Sequence, residues 1–161
     1  MKNNRGLTII ITVYLMGILS SIILVRPEVI KISDNSITFL GVIKTFCLNY
    51  WYIFIMWIMG LTIIGFIFNF FIVYFRGFIY GTLLIYLIKI NFSYLVLLTL
   101  LDLIVFIPLF IILSYYSINL SYSIYKKINI RLESYHKLMY ISIIVILVYS
   151  LLLEIIGAKF V

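Results

Sequence analysis

Residues 7–25 and residues 46–75 contain no charged side chain at all. Between 92 and 123 the single charge is Asp102, and between 138 and 156 it is Glu154. A helix rising about 1.5 Å per residue needs roughly 20 apolar residues to cross the hydrocarbon of a bilayer. Inside lipid the backbone must satisfy its own hydrogen bonds, so segments of this kind are helical. Charged residues make up 11% of the chain, against roughly 25% in soluble proteins, which leaves too little polar sequence for a soluble domain. The sequence therefore predicts an all-α integral membrane protein, a bundle of about five transmembrane helices forming one membrane domain over residues 1–161.

The stretch from Phe46 to Lys89 is too long for one crossing. A single span ending at Phe75 would leave 13 residues, 76–88, for the next, too short to reach across. A break near Gly65 solves this, because glycine tolerates a tight turn. The predicted spans are 7–25, 46–65, 67–89, 92–116 (bent by Pro108 and running on toward Tyr125) and 138–157. Residues 26–45 form the longest polar interval. Ile37, Leu40 and Ile43 at helical spacing suggest a short outer amphipathic segment, with an ordinary connecting loop as the alternative.

Orientation rests on basic residues. Lys126, Lys127, Arg131 and Lys137 crowd one short loop, and Lys2 and Arg5 precede the first helix. Dense positive charge in a short loop resists translocation, so the N-terminus is expected in the cytoplasm and the C-terminus outside. In that frame Tyr50, Trp51 and Tyr52 would mark the outer interface, and Tyr115, Tyr116, Tyr122 and Tyr125 the inner one. The net charge of +7 is thus accounted for by topology and by contact with the lipid bilayer. No basic groove or recognition motif accompanies it, which argues against nucleic acid as a partner.

Cys47 is the single cysteine, which excludes an internal disulfide and a thiolate metal cluster. His136 is the single histidine and lies in the basic loop, where a solvated residue is expected rather than a ligand or base. With no zinc-protease, nucleophile-elbow or phosphate-loop motif, no catalytic residue, metal or cofactor is expected.

Two features stand out within the spans. Small residues mark close helix contacts in membranes: Gly17-x-x-x-Ser21 in the first span, Gly60 and Gly65 in the second, Gly77-x-x-x-Gly81 in the third. These faces would serve packing within one subunit, and the alternatives are a partner protein or a homo-oligomer. Arg76 and Asp102 each fall near the bilayer centre, one from each side. An unpaired charge there costs roughly 2.5–3.5 kcal/mol on insertion scales, so an intramembrane charge pair is expected. Its role is either to fix the third helix against the fourth or to mark a proton or ion pathway. Asn49 and Asn69 read as residues that cap or pack helices.

Four stretches resemble the stage II sporulation protein M family of bacterial membrane proteins. They are F-C-L-N at 46–49, M-W-I-M-G-L-T-I-I-G at 56–65, F-R-G-F-I-Y-G at 75–81 and F-I-P-L-F at 106–110. The resemblance covers roughly 46–125 and rests on Asn49, Gly60, Gly65, Arg76, Gly77, Gly81 and Pro108. The chain departs from the family pattern at Ile67, where proline is frequent, and at Leu101-Asp102, where a Pro-polar pair is frequent. Its segment 26–45 is shorter than in the sporulation proteins. The resemblance implies a multi-pass protein of the bacterial cytoplasmic membrane. It also implies a non-enzymatic scaffold that docks or anchors other membrane or envelope proteins, in sporulation members a cell-wall amidase and a lytic transglycosylase. Shortened relatives accompany circular bacteriocins in maturation, export or immunity, which is the alternative expectation. A small transporter component is a third.

Overall fold

The computed structural model describes residues 4–25, 39–90, 92–128 and 132–160. These form α1 (Asn4–Leu24), α2 (Phe39–Gly60), α3 (Gly65–Ile90), α4 (Phe92–Leu101), a π-helical turn (Asp102–Phe106), α5 (Ile107–Tyr125) and α6 (Glu133–Phe160). No strand occurs among the described residues. Because α4, the π turn and α5 run on as one 34-residue helical stretch, five stretches are long and apolar enough to cross a membrane.

Several boundaries move relative to the sequence reading. Helix α2 starts at Phe39 rather than near 46, so Leu40 and Ile43 belong to its first turns and not to a separate surface helix. The rest of the proposed outer segment, Ile37 included, lies outside the described residues. The earlier start also displaces the aromatic triplet. Tyr50 is the twelfth residue of α2, about 17 Å along it, so these rings sit at mid-helix rather than at an interface. Tyr50 donates to Met139 Sδ, Trp51 faces outward and Tyr52 turns inward. At the other end, α6 begins at Glu133, ahead of 138, because residues 133–137 contain neither proline nor glycine and extend the helix beyond its apolar span.

The chain reverses between α2 and α3 in four residues, 61–64. Gly65 begins α3 with an ordinary negative φ, so its role is room rather than an unusual backbone angle. A Cβ there would collide with the carbonyl oxygen of Met59. Ahead of Pro108, the last hydrogen bond of the π turn runs from Ile107 N–H to Asp102 C=O. In a regular α register the proline ring would press on the carbonyl four residues back, that of Ile104. The widened turn relieves that clash while the helix continues.

Helix α1 packs mainly along α3, and the two run parallel. Helices α2, α3, α4 and α6 pack in a ring of neighbours, α2 on α3, α3 on α4, α4 on α6 and α6 on α2. The buried centre is aromatic and aliphatic, with Tyr14, Ile53, Met56, Phe106, Phe110, Ile146 and Tyr149 in one cluster. Large apolar side chains such as Ile23, Leu40 and Tyr140 stand outward, a surface suited to lipid.

Candidate functional site

The two small-residue motifs lie against each other. A Cβ on Gly17 would run into the carbonyl oxygen of Tyr74 and come within 2.9 Å of the Phe78 nitrogen. One on Gly77 would strike the Tyr14 carbonyl, and one on Gly81 would strike Ser21 Oγ. Backbone therefore meets backbone, and Ser21 settles its hydroxyl on the Ile18 carbonyl at 2.7 Å. Gly60 has a different task. Side chains from α5 and α6, Ser117 and Tyr135, occupy the space that a Cβ would need.

Those side chains belong to a polar seam that escaped the sequence reading. Ser114, Ser117 and Ser121 are fully buried on one face of α5, at intervals of three and four residues. Ser117 donates to the Met56 carbonyl at 2.6 Å and accepts from Asn69 Nδ2 at 2.6 Å. Ser121 donates to the Thr62 carbonyl at 2.6 Å and accepts from the Phe66 N–H at 2.7 Å. Tyr135 donates to the Trp57 carbonyl at 2.8 Å. Helix ends leave carbonyls and N–H groups without intrahelical partners, and here α5 and α6 supply them for the α2–α3 reversal. The signal was present as serines at helical spacing in an otherwise apolar run.

The remaining polar constellation is an open cleft of about 330 Å³ lined by α2, α3, α4 and α6. Arg76 and Asp102 both line it. Their hydrogen bonds go to other residues: Arg76 Nη2 donates to Asn49 Oδ1 at 3.0 Å, and the Tyr149 hydroxyl donates to Asp102 Oδ1. Asn49 is itself held by its Nδ2 on the Thr45 carbonyl at 3.0 Å, so it positions the guanidinium as well as packing the helix. The guanidinium carbon lies 4.3 Å from the Phe106 ring centre and 5.4 Å from that of Tyr52. Aromatic faces stabilise a cation best where water is excluded. Arg76 Nε, by contrast, is buried without a partner.

Antiparallel packing of α3 and α4 explains this convergence. Position 76 falls opposite Phe106, and Tyr80 falls beside Asp102. Asp102 is 4% exposed and stands at the start of the π turn. Pro108 lies two positions beyond that turn and faces outward.

His136 is elsewhere, its ring 5.6 Å from that of Trp57 near the opposite end of α2. No group of three metal-ligating side chains occurs among the described residues. What the cleft offers is one fixed cation and one fixed anion, deep in a membrane-spanning bundle.

Comparison with curated proteins and with solved structures gives no significant match. The pattern of the family described as SpoIIM, Stage II sporulation protein M, matches residues 7–158, extending the resemblance through α1 and α6. Because that match takes in nearly every helix described above, the chain belongs to the stage II sporulation protein M family.

Proposed function

We propose that this protein is a non-enzymatic membrane scaffold that docks or anchors partner proteins of the cell envelope. The observation that carries this reading is how its buried polar groups are used. The glycine faces of α1 and α3 are consumed by each other, and the serine seam holds the α2–α3 reversal. Such an arrangement supports a rigid platform in the membrane rather than a reaction centre. Family membership makes cell-wall remodelling enzymes the natural cargo.

The test is a deletion strain carrying fluorescent fusions of its cell-wall amidase and lytic transglycosylase. A scaffold predicts that their focal localisation disperses and returns when the chain is re-expressed. Unchanged localisation in the deletion strain would overturn the reading. The short segment 26–45 favours the alternative of a circular-bacteriocin accessory. In that case the deletion leaves the enzymes in place and lowers production of, or immunity to, the peptide.

A further inference from the structure

The cleft between α2, α3, α4 and α6 has a divided lining. Its floor carries Arg76, Asp102 and Asn49, with the tyrosines at 52, 80 and 149. Its remaining lining is mostly apolar, Leu48, Ile79, Leu83, Leu98 and Leu153, with Thr45 the one polar residue among them. Along α3 and α6 the apolar residues mostly lie C-terminal to the polar ones, and Leu98 precedes Asp102 on α4. The cavity therefore runs from the charges at mid-bundle toward the end where α3 and α6 finish. Binding sites for small molecules are concave, mostly apolar and furnished with a few fixed polar groups, and about 300 Å³ is the small end of their range.

Two further observations point to an occupant. The Arg76 guanidinium is fixed at the lining by the hydrogen bond from Nη2 to Asn49 Oδ1 and by the face of the Phe106 ring, which holds a cation ready at this depth. At the same depth the helix is irregular. The π turn begins at Asp102, and such turns recur at functional sites. Membrane proteins that bind solutes commonly do so near the midplane, where a helix is interrupted.

The charges restrict the chemistry of that occupant. A simple anion attracted to Arg76 would meet the Asp102 carboxylate in the same small volume, and a simple cation would meet the guanidinium. A molecule carrying both charges answers both, and an apolar substituent would fill the leucine-lined wall. We propose that the cleft binds a small zwitterion of the α-amino-acid type with an apolar side chain. Its carboxylate lies on Arg76, its ammonium on Asp102, and its side chain against Leu83, Leu98 and Leu153. The inference is one of binding and is independent of the scaffold reading.

The experiment uses the full-length protein in nanodiscs and measures binding of radiolabelled leucine and phenylalanine. Competitors are the corresponding amino-acid amides, which lack the carboxylate, and the N-acetyl amino acids, which lack the ammonium. The expected result is saturable binding of the free amino acids near one per chain, with at least tenfold weaker competition by both derivatives. Arg76→Gln should abolish binding. Leu98→Trp, which fills the wall and leaves both charges in place, should abolish it too. Absence of saturable binding to either amino acid overturns the proposal, as does equal competition by an amide or an N-acetyl form. Binding retained in Leu98→Trp overturns the placement of the side chain.

Discussion

At the scale of single residues, the charges are governed by their immediate neighbours. Asp102 is buried and takes its hydrogen bond from Tyr149. Tyr149→Phe removes that donor and leaves a carboxylate short of a partner, a loss that costs about 1–3 kcal/mol for a buried group. The variant should unfold at lower temperature in detergent, and adding Asp102→Asn should restore part of the loss. Equal stability of Tyr149→Phe and the parent would mean that the bond contributes nothing. That Arg76 and Asp102 fall well inside their helical stretches was legible in the sequence, since each sits about ten residues from an element's end. Their partners were not. Asn49 and Tyr149 are 27 and 47 positions away from the charges they hold, and only folding brings them together.

At the scale of elements, the spans were legible because uncharged runs of this length have few other fates. Their ends were not, because a single charge such as Lys44, or the mixed polar run at 133–137, interrupts an apolar pattern without ending a helix. The motifs on α1 and α3 were visible as small residues at spacing four, while their mutual contact depends on the parallel run of the two helices. That contact makes a definite prediction. Gly17→Leu places a side chain where the Tyr74 carbonyl lies, so α1 must move away from α3. Overpacking typically costs about 1–3 kcal/mol, and a collision with backbone belongs at the upper end. Thermal unfolding of the purified variant should show that loss, whereas Met16→Leu, on the exposed side of α1, should be nearly neutral. Equal effects of the two substitutions would contradict the α1–α3 interface.

At the scale of the whole molecule, five helical stretches are long and apolar enough to cross a membrane, and the proposed orientation, with the basic cluster in the cytoplasm, follows from the positive-inside rule. With Cys47 replaced by serine, a single cysteine at Lys127 should resist a membrane-impermeant maleimide in intact cells. One at Asn35 should react. Reaction at 127 with protection at 35 would invert the topology. Helices α3 and α4 deliver Arg76 and Asp102 to one cleft inside this bundle. A double-mutant cycle on stability in nanodiscs reads that directly, comparing Arg76→Gln, Asp102→Asn and the two combined. Neighbouring groups couple by about 0.5–3 kcal/mol, while distant ones add within a few tenths. The prediction is that each single variant is destabilised and that the double variant recovers stability beyond the sum of the single effects. Simple additivity would contradict the shared cleft and the packing of α3 on α4.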